Sequence, residues 1–221
     1  MNKTERGFEN FEKISFIRVG RFDIPALRPT KYRGGEFIPF NAALTDDKER
    51  DAKTVHFFLP DYQFIRVWNC PDKYIPLLSQ FKQVLSPDFS TYSDFPTALQ
   101  LWNHYRKHWV GAYWQAQGID VIPTISWSTV DSFEWCFDGE PLGSCVAVSS
   151  VGALSDDESL ELFVSGYREM LRRLEPEEVL FYGKVPFQIL GEGPIVQIEP
   201  FTKRFDERRR AYGRTRQQLQ R

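Results

Sequence analysis

Five short apolar runs, each closed by a polar or Pro-containing turn, constrain the fold of this chain more than anything else in it. They are Val55-His56-Phe57-Phe58-Leu59, Val84-Leu85-Ser86-Pro87-Asp88, Val121-Ile122-Pro123-Thr124-Ile125, Val146-Ala147-Val148-Ser149 and Val179-Leu180-Phe181-Tyr182-Gly183. Their starts lie between 25 and 37 residues apart, and an amphipathic stretch usually separates them. A strand that returns after a helical crossover runs parallel to its predecessor, so the spacing predicts β-α units on a parallel sheet. The stretch from Val55 to Gly183 is too short for eight such units. The expected fold is therefore α/β, with the repeats forming an irregular or incomplete barrel-like sheet, or an open doubly wound one.

Parallel sheets carry their sites just beyond the carboxyl ends of the strands. Asp61, Asp88, Ser126, Trp127, Ser149, Ser150 and Lys184 stand there in this sequence. Asp88 is the candidate catalytic base or polar anchor. Lys184 reads as an anion contact, Trp127 as a stacking surface and Ser126 as a hydroxyl contact. Structural roles compete at some of these positions. Asp61 reads as the N-cap of the next helix, and Ser149 and Ser150 read as turn residues. His56, inside the first run, reads as a packed or barrel-lining residue.

Around the repeats the chain is less regular. Pro25, Pro29, Gly34 and Gly35 punctuate an irregular lead-in, in which Phe37 to Asn41 is the expected buried strand. Thr45 to Thr54 holds seven charged residues among ten and reads as a solvated loop. Gly191-Glu192-Gly193-Pro194 closes the core, and Ile195 to Ile198 adds an edge strand. One domain is expected over residues 1–200, with its repeating core at 55–183. Residues 201–221 then form a basic tail with eight basic and two acidic side chains. The whole chain carries −2, so residues 1–200 carry −8. The tail reads as a solvated end, as a helix docking on the body or on a partner, or as a phosphate contact to nucleic acid.

No run approaches the roughly 20 apolar residues that cross a bilayer, so no membrane partner is expected. Met1 to Arg6 is polar and leads into no signal core. Cys70, Cys136 and Cys145 lack Cys-x-x-Cys spacing and read as reduced thiols of a cytoplasmic protein.

The longest expected helix runs from Asp94 to Gln117. Phe95, Ala98, Leu99, Trp102, Tyr105, Trp109, Val110 and Tyr113 fall within about 80° of Trp102 on its surface. His104 and His108 are spaced as a metal pair would be. They fall on the opposite face with Gln100 and Gln115, and the Glu of a His-Glu-x-x-His site is missing. They read as solvent-facing, with no metal. Arg106 falls inside the apolar stripe, where a guanidinium needs an acid partner or a polar cavity. Whether it pairs structurally or contacts a ligand, an acid must lie nearby. Elsewhere, Ser155 and Glu158 form a capping-box pattern ahead of Leu160, Phe163, Val164, Tyr167, Leu171 and Leu174. Ser128 to Phe137 reads as a short helix closed by Asp138-Gly139, and Pro71 as the start of another. Gly-x-Gly-x-x-Gly, phosphate-loop and Gly-x-Ser-x-Gly motifs are absent, so no cofactor is assigned.

The strings Val55 to Phe64, Val84 to Ser90, Gly118 to Thr124, Leu101 to Arg106, Tyr113-Trp114-Gln115 and Phe137-Asp138-Gly139 together resemble the domain of unknown function 4417 family. The resemblance spans roughly Phe37 to Gly183. It implies a protein like those encoded by bacteriophages, prophages and other mobile elements of bacteria, and it implies no activity. It adds weight to Asp88, Trp102, Asn103, Arg106 and Gln115, which lie in these strings. The basic tail lies outside it. Two functional classes are expected from the whole. One is an enzyme or binder of a polar ligand, nucleotide or nucleic-acid component at the carboxyl edge, using Asp88, Arg106, Lys184, Trp127, Ser126, Asn103 and Gln115. The other is a non-catalytic mobile-element factor that binds a host or phage protein, with the basic tail 201–221 as a candidate contact, for example an inhibitor of a host defence protein.

Overall fold

The computed structural model describes residues 10, 13, 14 and 16–199. The expected basic tail and the first residues of the chain lie outside these. All five apolar runs form strands, joined by the two outer ones. β1 (Arg18–Val19) and β2 (Ile24–Pro25) make a small antiparallel ribbon. β3 (Glu36–Pro39), β4 (Lys53–His56), β5 (Gln83–Leu85) and β6 (Val121–Ile122) follow as a parallel sheet in chain order. β7 (Cys145–Ser149), β8 (Glu178–Tyr182) and β9 (Ile195–Ile198) form a second parallel sheet. A parallel bridge between Thr124 and Ala147 carries the order from β6 into β7. Among the described residues β3 and β9 are not paired, so the barrel is left open.

The strands are apolar on both faces, as parallel strands covered on two sides must be. With a side-chain period of two, Val55, Val84 and Val121 point outward to one core, while Leu85 and Ile122 point the other way. The second sheet repeats this. Val146, Val148, Val179 and Phe181 face an outer core, and Cys145, Ala147, Leu180 and Tyr182 face inward. Inward residues of both sheets pack together as a barrel interior. The His56 ring on β4 lies 4.6 Å from Tyr182 on β8, and Phe58 stacks on the same tyrosine at 4.9 Å. His56 is thus a lining residue, and burial pulls its pKa down to about 3.

Helices cover the outside. α1 (Phe40–Ala43), α2 (Arg66–Asn69) and α3 (Pro71–Leu78) precede the long α4 (Thr97–Ala116), and α5 (Asp157–Leu174) packs on the second sheet. Pro71 opens α3 at the position where a missing N–H costs nothing. α4 starts after Pro96 with no side-chain cap. α5 is capped by Asp156, which accepts from the Ser159 N–H at 2.8 Å; Ser155 instead donates to the Asp156 carboxylate. The expected helix at 128–137 is only a 3-10 turn over Val130–Glu134.

The histidine pair overturns its expectation. His104 is 1% and His108 0% exposed. The face opposite the aromatic stripe is covered by Pro25 and by the Asp138–Glu140 turn, so both faces of α4 are buried. His104 Nε2 meets the Asp138 carbonyl at 3.1 Å. His108 Nδ1 meets the Pro25 carbonyl at 3.0 Å, and its Nε2 meets Glu140 Oε1 at 2.9 Å. Gly139 makes the close approach feasible: its φ is +82°, and a Cβ there would overlap His108. Among the described residues no three His, Cys, Asp or Glu side chains are grouped as metal ligands would be.

A cleft at the carboxyl ends of the strands

Parallel strands deliver their carboxyl ends to one side, and there the loops after β4, β5, β6 and β7 enclose a cleft of about 420 Å³. Its wall combines Asp88, Ser126, Trp127 and Ser149 with the apolar rings of Phe58, Phe89 and Phe163. Asp88 is the only charged side chain among the lining residues. No hydrogen bond or ion pair among the described residues engages its carboxylate. Burial pushes its pKa up to about 7, Lys107 opposes the rise, and Asp61 adds to it. A carboxyl poised there changes protonation near neutrality and can donate as well as accept.

The loop carrying Asp88 is held from behind. Asp61 accepts from the Ser90 hydroxyl at 2.7 Å and from the Ser90 N–H at 3.2 Å. Asn103 Nδ2 donates to the Ser90 carbonyl. The Arg106 guanidinium sits 3.9 Å from the centre of the Phe89 ring and 3.7 Å from Asp61. The acid that Arg106 needs is therefore Asp61. Asp61 opens the 3-10 turn Asp61–Gln63 but caps nothing with its side chain, contrary to its expected role. Its two oxygens are occupied by Ser90 and Arg106 instead.

Residues 16–198 match the family described as domain of unknown function 4417. This chain belongs to that family. It is 44% identical to the Gene 1 protein of Mycobacterium phage L5 over 179 residues, covering 78% of this chain and 76% of that protein. It is 38% identical to the Gene 1 protein of Mycobacterium phage D29 over 204 residues, covering 90% and 73% respectively. No solved structure matches the chain.

The expected site residues of this DUF4417 member divide into two groups. Asp88, Ser126 and Trp127 line the cleft; Arg106, Asn103, Lys184 and Gln115 do not. Arg106 and Asn103 touch the Asp88–Ser90 loop, as described. Lys184 is exposed, and its carbonyl accepts from the Ser150 hydroxyl at 2.9 Å. Gln115 ties down the lead-in, accepting from the Arg28 N–H at 2.8 Å and donating to the Arg28 carbonyl at 2.9 Å.

Sequence reasoning passed over Lys107 and Glu140. Lys107 is 1% exposed, and its ammonium donates to the Thr124 carbonyl at 2.8 Å and to Glu140 Oε1 at 2.9 Å. It thereby fastens the end of β6, two residues before Ser126. Burial pushes the Glu140 carboxyl up, but Lys107 and His108 outweigh it and hold it below the usual range. The available signal was a cluster of polar side chains on a helix already rich in aromatic residues on its other face.

Trp127 is seated by a glycine. Its indole packs where a Cβ on Gly166 of α5 would stand, and its ring lies 5.3 Å from that of Phe163. Gly166→Ala is expected to force the indole away and to destabilise the protein by about 1–3 kcal/mol, as overpacking does. The check is urea unfolding alongside Trp127 fluorescence. An unchanged midpoint with an unchanged spectrum would contradict this seating.

Proposed function

We propose that this protein binds a small ligand in the cleft at the carboxyl edge of its strands, with Asp88 as the polar anchor. The observation that carries this reading is an unpaired, partly buried carboxyl, raised to about 7, in the wall of a concave and largely apolar site. Binding is favoured over catalysis because neither of the expected cationic partners, Arg106 and Lys184, lines the cleft beside Asp88. Of the parts of a nucleotide, the base and sugar suit the rings and hydroxyls; the phosphates would find no lysine or arginine in the wall. Arg106 and Asn103 act through the loop as positioning residues. The ligand class that remains is a polar small molecule or nucleic-acid component met inside the infected cell.

The test is ligand-induced thermal stabilisation across a panel of nucleobases, nucleosides, nucleotides, sugars and amines. At least one compound should raise the melting temperature, and Asp88→Ala should abolish that rise while leaving the fold intact. A rise that survives in Asp88→Ala, or none across the panel, would overturn the reading. A second reading, a protein-binding factor, is favoured by Tyr92 and Val151, which belong to the cleft's lining yet are 59% and 62% exposed. These two side chains offer a partner protein an apolar resting place.

A further inference from the structure

We propose that the ligand of this cleft is an organic cation, an amine or guanidinium compound that docks its charge on Asp88 and its carbon skeleton on the aromatic wall. This rests on the reading of the cleft as a ligand site and specifies what that site selects.

The charges around the cleft decide its sign. Arg106 faces Asp61 at 3.7 Å, and Lys107 faces Glu140 at 2.9 Å, so both cations near the floor already have carboxylate partners. Lys107 spends a further proton on the Thr124 carbonyl. Asp88 is left over. Of the lining residues, no other is an Asp, Glu, Lys or Arg. An anionic ligand would thus bring a second negative charge beside Asp88 in a partly dehydrated site, with no lysine or arginine in the wall to compensate. A cationic ligand instead supplies the missing partner.

The rest of the wall suits the same class. Phe58, Phe89, Trp127 and Phe163 bury aliphatic carbon and favour positive charge near their rings. The hydroxyl groups of Ser126 and Ser149 are acceptors for the remaining N–H bonds of an ammonium or guanidinium. A primary amine and a guanidinium share this chemistry whether they come as free metabolites or as lysine and arginine side chains of a peptide. The probes below separate the two sources.

The experiment is calorimetric titration of the full chain with agmatine, spermidine and Nα-acetyl-lysine amide, against adenosine, adenosine monophosphate and inorganic phosphate, at pH 6 and pH 8. At least one cation should bind. Its affinity should rise about tenfold from pH 6 to pH 8, because only the ionised carboxyl competes for it and that form is the minor one at pH 6. Asp88→Asn should lose about tenfold or more at pH 8 and should lose the pH dependence. Tighter binding of agmatine and spermidine than of the lysine amide would assign the free metabolites; the reverse would assign a peptide. Cation binding unchanged in Asp88→Asn, or no cation binding at all, overturns the proposal. If adenosine binds in an Asp88-dependent way while the cations do not, the ligand class falls and the cleft stands. If nothing binds in an Asp88-dependent way, the cleft reading falls with it.

Discussion

Asp88→Asn is expected to stabilise the protein, and to do so more at pH 8 than at pH 5. Folding raises the Asp88 pKa from the ordinary 3.8 to about 7, chiefly by burial. The folded state therefore binds this proton more tightly than the unfolded state. The carboxyl costs nothing below the unfolded value, and stability is lost as the pH rises from about 4 through about 7. An amide escapes that loss. The gain at pH 8 should exceed the gain at pH 5 by about 2 kcal/mol, after allowing for water in the cleft, or roughly 4–8 °C in melting temperature for a chain of this length. Melting curves of both proteins at the two pH values measure it. Equal shifts at both pH values would mean that the carboxyl titrates in the ordinary range. The same substitution is expected to remove ligand binding, and a residue whose removal stabilises the fold while ending its recognition is one held for function rather than for stability.

The opposite behaviour is expected at the Lys107–Glu140 pair. Both side chains are buried, at 1% and 0% exposure, and their ion pair is tied into His108 and the Thr124 carbonyl. Removing one partner leaves the other charge buried without its counter-charge. Lys107→Met should cost about 3–5 kcal/mol, or on the order of 10 °C in melting temperature. Glu140→Gln should also be strongly destabilising, because it leaves Lys107 without its counter-charge. The double variant Lys107→Met/Glu140→Gln should be more stable than the sum of the two losses implies, because it strands no charge. Urea unfolding of the four proteins gives the coupling. Additive losses would show that the two charges do not depend on each other. The pH dependence of this pair runs the other way from that of Asp88. The Glu140 pKa is lowered on folding, so its contribution is present above the ordinary glutamate range and is lost as the pH falls through the lowered value.

The strands were readable because a parallel strand buried on both faces needs apolar residues at nearly every position, and Val146-Ala147-Val148 or Val179-Leu180-Phe181 shows this without knowledge of its neighbours. That reading also placed Asp88, Ser126 and Trp127 on one edge, since a strand's carboxyl end follows from its limits. Side chains that depend on what lies across the molecule were not readable. The surface of α4 shows that His104 and His108 lie opposite Trp102, but not that Pro25 and the Asp138–Glu140 turn cover that side. Lys107 finds its counter-charge 33 residues later in an irregular turn, a distance at which no periodicity operates. Arg106 was correctly expected to need an acid. The choice of Asp61 over a ligand depended on the ring of Phe89 and on Ser90 competing for the same carboxylate. Lys184 follows a strand end and still misses the cleft, because β8 lies farther round the open barrel than β4 to β7.

The cleft on the carboxyl edge, anchored on Asp88, is the proposed ligand site of this protein. Chemical-shift mapping of the ¹⁵N-labelled chain, titrated with agmatine at pH 8, tests it most directly. Saturable shifts are expected at the Trp127 indole N–H and at the amides of Ser90, Ser126 and Ser149, all absent in Asp88→Asn. Saturable shifts confined to residues outside the cleft, such as Arg168 and Arg172 on α5, would contradict it.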